Sequence, residues 1–111
     1  RQRVLSQRAT ADGALAAYQG AVLRALEETE NALAAYRAAN ESAQALDMAV
    51  EASRKAVELA KLRYDAGASD FLTLLDAERS LLDFEDRAAE AATRRATALA
   101  ALYKALAGDF A

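Results

Sequence analysis

Arg63-Tyr64-Asp65-Ala66-Gly67-Ala68-Ser69-Asp70-Phe71-Leu72-Thr73-Leu74-Leu75 is the stretch that decides the fold, because helical patterns reach it from both sides and cannot run through it. Gly67 is the only glycine between Gly20 and Gly108. It stands where a helix C-terminus favours a left-handed residue, and Ser69 and Asp70 follow it as candidate N-caps for a second helix. The chain is predicted to reverse here.

Upstream, every third and fourth position from Leu15 gives Leu15, Tyr18, Val22, Ala25, Thr29, Ala32, Tyr36, Ala39, Ala43, Leu46, Val50, Ser53, Val57, Ala60 and Tyr64, seven heptads without a slip. That spacing is a coiled-coil seam. Its residues are mostly small, so a partner helix can approach closely while the rings of Tyr18 and Tyr36 pack with their hydroxyls reaching outward. Leu23, Leu26 and Leu33 form a second apolar edge, which suits a helix with neighbours on two sides. Gly13 and Gly20 cost roughly 1 kcal/mol each relative to alanine and make the N-terminal third the weakest part of the pattern. Asn40 reads as an exposed helix residue, because the heptad register continues past it unchanged.

Downstream, Leu74, Ala77, Leu81, Phe84, Ala88, Ala91, Arg95, Ala98, Leu102 and Ala105 repeat the spacing, with Arg95 as the exception. The expected fold class is therefore all-α: one long antiparallel two-helix coiled-coil hairpin over residues 1–111. The first helix covers about residues 2–66, the turn about 67–69 and the second helix about 70–107. At 1.5 Å per residue the helices are ~95 Å and ~55 Å long. Folding the shorter along the longer leaves residues 1–27 without a partner in the chain.

Composition agrees with this class. The chain has 111 residues, 54% of them apolar, yet 32 are alanine, and it contains no proline. Alanine buries little area, and at ~25 cal/mol per Å² an alanine seam stabilises far less than a leucine seam, so further helices or subunits are the natural remedy. A lone pair of helices with such a seam is expected to be marginal. The chain opens mid-pattern at Arg1-Gln2-Arg3 and reads as a fragment of a larger protein.

Fourteen bases against seventeen acids give a net charge of −3, which supplies no electrostatic footprint for nucleic acid. With neither cysteine nor histidine, the sequence lacks thiolate or imidazole metal ligands and any Ser-His or Cys-His couple. No enzyme activity, cofactor or metal is expected. Its apolar runs are far shorter than the ~20 residues that cross a bilayer as a helix.

The acids are unevenly placed. From Tyr64 to Asp86 there are seven, Asp65, Asp70, Asp76, Glu78, Asp83, Glu85 and Asp86, against the single base Arg79. One reading is a solvated helix start, where acids complement the macrodipole. The other is a ring of hairpin tips placing Asp76 and its copies around a passage that attracts cations.

Three segments carry a family resemblance. Arg63 to Leu82 resembles the R-Y-x-x-G-x-x-x-(Y/F)-L-x-(V/L)-L-D-A-(Q/E)-R-S-L-L segment of the TolC-like outer-membrane efflux proteins. Glu28 to Ala35 is similar to their R-E-V-E-(N/D)-A-L-A segment, and Leu102 to Gly108 to L-Y-K-A-L-G-G. The resemblance implies a periplasmic segment of an outer-membrane channel, in which three protomers pool their helices into an α-barrel and the membrane is met only through β-strands outside this sequence. It also implies that the tip is the entrance, with Tyr64, Asp70 and Asp76 at the gate or constriction. Gly67, Ala68, Ser69, Leu72 and Leu75 would receive a periplasmic membrane-fusion adaptor protein, with an inner-membrane transporter engaged indirectly. Ser69 departs from members that carry a gate-tying arginine there, and Ala107 with Asp109-Phe110 departs from their glycine-rich ending. The rival expectation is a structural coiled-coil oligomerisation or adaptor hairpin module without a gate. An interfacial lipid-binding helix would want basic flanks, which this acidic tip does not offer.

Overall fold

The computed structural model describes residues 1–110, with side chains described as far as Gly108. Helix α1 spans Gln2–Asp65 and helix α2 spans Phe71–Phe110. They fold against each other into a rod of 98 × 19 × 13 Å. Its radius of gyration is 26.8 Å, about twice that of a compact domain of similar length. Such a shape gives each residue few tertiary neighbours, so stability rests on one seam.

Helix α1 continues through Gly13 and Gly20 without a break. With no proline, nothing in the sequence removes a backbone donor from the ladder. Threonines within the helices turn their hydroxyls back on the preceding turn: Thr10 donates to the Ser6 carbonyl at 2.9 Å and Thr93 to the Ala89 carbonyl at 3.1 Å. This satisfies a polar group locally and leaves the apolar stripe intact.

The seam lies where the heptad pattern puts it. From Ala25 to Ala60 every seam position of α1 is buried or half-buried, as is every seam position of α2 from Leu74 to Ala105. The fully buried residues are Ala43, Val50, Ala60, Leu74 and Ala91. Three of these five are alanine, so the contact between the helices is close and thin, with little area to stabilise it.

Leu15, Tyr18 and Val22 belong to the same stripe but are exposed. Tyr18, expected to pack on the seam, is 68% exposed. Lys104, Ala105 and Gly108, the last residues of α2 whose side chains are described, lie beside Ala25 and Glu28, so among the described residues nothing of α2 faces Tyr18. The second apolar edge is also split, with Leu33 half-buried and Leu23 and Leu26 exposed on the overhang.

Asn40 corrects the reading of it as an exposed helix residue. It is half-buried, and Arg95, the charged exception in the α2 stripe, donates from Nη1 to its Oδ1 at 3.3 Å across the seam. Ion pairs, by contrast, form within helices: Arg54 with Glu51, Arg87 with Asp83 and Arg94 with Glu90, all on exposed side chains. Exposed pairs of this kind contribute little, typically ~0.3–0.5 kcal/mol each.

Each helix carries another apolar stripe outside the seam. On α1 it runs through Met48, Ala52, Leu59 and Leu62, at four- and three-residue steps broken by Lys55. Met48 and Leu62 are 73% and 67% exposed. On α2, Leu75, Leu82, Ala89, Ala96 and Tyr103 recur every seventh position. At 3.6 residues per turn the α1 stripe falls nearly opposite the seam, while the α2 stripe lies about 130° round from it, with Leu75 half-buried and Leu82, Ala89, Ala96 and Tyr103 exposed.

Candidate functional site at the hairpin tip

The connection from Ala66 to Asp70 is built from two complementary helix ends. Ala66 keeps a right-handed conformation, with φ −82° and ψ −1°, and Gly67 then swings to φ +72°. That switch lets the Gly67 N–H donate to the Tyr64 carbonyl at 3.0 Å and the Ala68 N–H to the Arg63 carbonyl at 2.8 Å. The two bonds are the pair that defines a Schellman ending, so carbonyls left open by the end of α1 are satisfied by the turn itself.

Asp70 opens α2. Its Oδ1 accepts from the Thr73 backbone N–H at 3.0 Å and from the Thr73 hydroxyl at 2.7 Å. The side chain thereby satisfies an N–H that the first turn of α2 leaves without a helical partner. These bonds, the hydroxyl's first, hold the Asp70 carboxyl below its ordinary value. Ser69 is half-buried, and its hydroxyl lies 3.4 Å from the Asp70 carbonyl oxygen. Of the two cap candidates, Asp70 does the capping.

Tyr64 and Phe71 close the tip from the two helices. Their ring centroids are 5.8 Å apart with planes inclined at 64°, an edge-to-face arrangement. Phe71 was not singled out among the tip residues at the sequence level, although an aromatic directly after a cap aspartate and seven positions after Tyr64 is a usable signal. Thr73 was missed as well, and Asp-x-x-Thr is its signature.

The remaining residues form a mixed apolar and acidic surface. Gly67 and Ala68 are exposed, and a Cβ built at Gly67 would meet nothing within 4 Å. Leu72 is 66% exposed, while Leu75 is half-buried. Asp76 is exposed on the second turn of α2, near Asp70 in sequence and apart from its cap bonds. The tip thus offers a small left-handed knuckle, exposed Leu72 and Phe71, and carboxylates on the following turns. Among the described residues no group of three acids converges as a metal site, and no helix is long and apolar enough to cross a membrane.

Comparison with known proteins places this geometry. Residues 1–108 match the family model for the outer membrane efflux protein. The pyoverdine export outer membrane protein OpmQ of Pseudomonas putida is 42% identical over 96 residues, covering 86% of this chain and 20% of that protein. Outer membrane protein OprJ of Pseudomonas aeruginosa is 38% identical over 99 residues, covering 89% and 21% respectively. The solved outer-membrane channel OprN superposes with a TM-score of 0.68 at 43% identity, over 96% of this chain and 24% of that one. This chain spans about a fifth of the length of the two sequence relatives. A two-helix rod with this match along nearly its whole length belongs to the outer membrane efflux protein family.

Proposed function

We propose that this hairpin is a wall segment of the periplasmic tunnel of an outer-membrane efflux channel, with its tip at the tunnel entrance. The observation that carries the reading is the pair of exposed apolar stripes outside the seam, Met48 to Leu62 on α1 and Leu82 to Tyr103 on α2. A helix with two separate apolar stripes needs two neighbours. A closed ring of helices supplies them on both flanks of every hairpin, and the overhanging Leu15, Tyr18 and Val22 find cover in the same ring. Three copies of the complete protein build that ring. The role is a passive conduit without catalytic activity.

At the entrance, Tyr64, Asp70 and Asp76 regulate passage, and the exposed knuckle of Gly67, Ala68, Ser69, Leu72 and Leu75 receives the hairpin of a periplasmic adaptor. The adaptor in turn links the channel to an inner-membrane transporter. Asp70 contributes by holding the start of α2, and Asp76 by presenting charge. Opening is a shift of this hairpin against its neighbours, driven from the inner-membrane side.

The test is single-channel conductance of the complete protein. Tyr64→Phe and Asp76→Asn are expected to raise conductance or weaken block by cations, and a cysteine at Gly67 is expected to cross-link to the adaptor tip. A spacer module without a gate predicts unchanged conductance and cation block in both variants and no cross-link; that combination overturns the proposal.

A further inference from the structure

Among the described residues an aromatic pair, Tyr64 with Phe71, and a hydrogen bond, Arg95 to Asn40, reach between α1 and α2, and they stand at equal intervals along both helices. Asn40 precedes Tyr64 by 24 residues (64 − 40), and Arg95 follows Phe71 by 24 (95 − 71). The aromatic pair and the polar pair are therefore rungs of one antiparallel register, ~36 Å apart at 1.5 Å per residue. The stagger set at the tip reaches Asn40 without a slip.

What holds the two helices in place against each other differs at the two rungs. At the tip the covalent turn, the Gly67 swing and the Asp70 cap leave no freedom to slide. Far from the tip most seam positions are alanine, Ala25, Ala32, Ala39 and Ala43 on α1 and Ala88, Ala91, Ala98 and Ala105 on α2, with Thr29, Tyr36 and Leu102 half-buried between them. Alanine knobs are short and alike, so a shifted or rotated helix meets almost the same surface. Close packing that discriminates poorly between arrangements lowers uniqueness before it lowers stability.

We propose that the Asn40–Arg95 hydrogen bond is a pin across the seam, fixing the rotation and lateral contact of the distal half of the two helices, which the alanine layers leave undecided once the tip has set the stagger. Arg95 occupies a seam position where a leucine would bury more apolar area, the trade expected of a polar residue kept for specificity. Asn40 stands beside the seam residue Ala39, on one flank of the α1 stripe, so the guanidinium reaches it from one side only. Rotating either helix about its axis, or splaying the two apart, separates the amide from its donor. The pin thus makes the tunnel-side half of the rod follow the tip as one body.

The proposal does not depend on the gate or on any adaptor. It is tested in the complete protein, diluted with unlabelled copies, by electron–electron distances between spin labels at the exposed pairs Ala35 with Ala100 and Lys55 with Ser80. In the double variant Asn40→Leu, Arg95→Leu, the unfolding temperature is expected to equal or exceed that of the parent. The Ala35–Ala100 distribution is expected to broaden, while Lys55–Ser80 stays narrow. Asn40→Asp, which keeps an acceptor, is expected to retain the single distance. A narrow parental distance in the leucine double variant overturns the pin, and so does a distribution for Asn40→Asp as broad as that of Asn40→Leu.

Discussion

Tyr64 and Phe71 meet edge to face at 5.8 Å across the reversal, one from the last turn of α1 and the other from the first residue of α2. The two rings stack beside the Schellman bonds, one of which ends on the Tyr64 carbonyl, so the ring contact braces the turn that the backbone forms. Tyr64 is 41% exposed and Phe71 55%, which leaves the tyrosine hydroxyl and one edge of the phenylalanine open to a neighbour. Removing either ring should cost stability, and their interaction should appear as a coupling of about 0.5–1 kcal/mol in a Tyr64→Ala, Phe71→Ala double-mutant cycle followed by urea unfolding. Tyr64→Phe keeps the ring contact and should change stability by less than ~0.5 kcal/mol. That separation matters for the conductance test, since a gain in Tyr64→Phe then reports the hydroxyl and not a loosened tip.

Gly67 turns the chain at φ +72°, in open space. With no neighbour for a Cβ to strike, the cost of Gly67→Ala is the left-handed backbone alone, about 1–2 kcal/mol. Gly67→Asn should cost less, because asparagine visits this region more readily. The thermal midpoints of the two variants should therefore fall in the order glycine, asparagine, alanine; an alanine variant as stable as the parent would mean that the turn is made another way.

The reversal and the seam were legible because both are local and periodic. One glycine flanked by unbroken helix pattern has few interpretations, and a stripe of fifteen positions without a slip fixes which face of α1 is covered. Asn40 was misread because periodicity describes a stripe and says nothing about what reaches it from another helix. Only knowing that Arg95 comes opposite, set by the stagger, reveals its partner. Tyr18 shows the complementary lapse: its place on the stripe was clear, but burial needs a facing helix, and the described side chains of α2 reach only as far as Ala25 and Glu28. At the tip, cap geometry could be read from Gly67 and Asp70, while the Tyr64–Phe71 contact depends on how tightly the turn closes.

Asp70 gives the tip a pH dependence of definite sign. Its carboxyl is held below the ordinary aspartate value, near ~3.9, by the Thr73 hydroxyl first and the Thr73 N–H second. A folded value below the unfolded one means that the ionised form stabilises the fold. The contribution is fully present above the unfolded value and is lost as pH falls through the folded value. Asp70→Asn keeps a cap acceptor but cannot titrate, so its thermal midpoint should vary less across that acid window than the parent's. Thr73→Val removes the larger cause, and the Asp70 carboxyl followed by NMR should then titrate at higher pH. An unmoved titration in Thr73→Val would refute this assignment of cause.

Ala43 and Met48 stand one and a half turns apart on α1 and face opposite worlds. Ala43 is 2% exposed within the seam, and Met48 is 73% exposed on the outer stripe. Ala43→Leu forces three extra carbon atoms between close helices and should destabilise the hairpin by about 1–3 kcal/mol, measured as a lower urea midpoint. Met48→Glu should leave the hairpin itself within ~0.5 kcal/mol of the parent, since the side chain touches little. In the complete protein the order should reverse in consequence if Met48 lies between neighbouring helices: a buried carboxylate without a partner is costly, and the assembled form should dissociate. Sedimentation of the complete Met48→Glu protein decides the matter, because an assembly as stable as the parent's would place the outer stripe of α1 in water and remove the argument for a second neighbour.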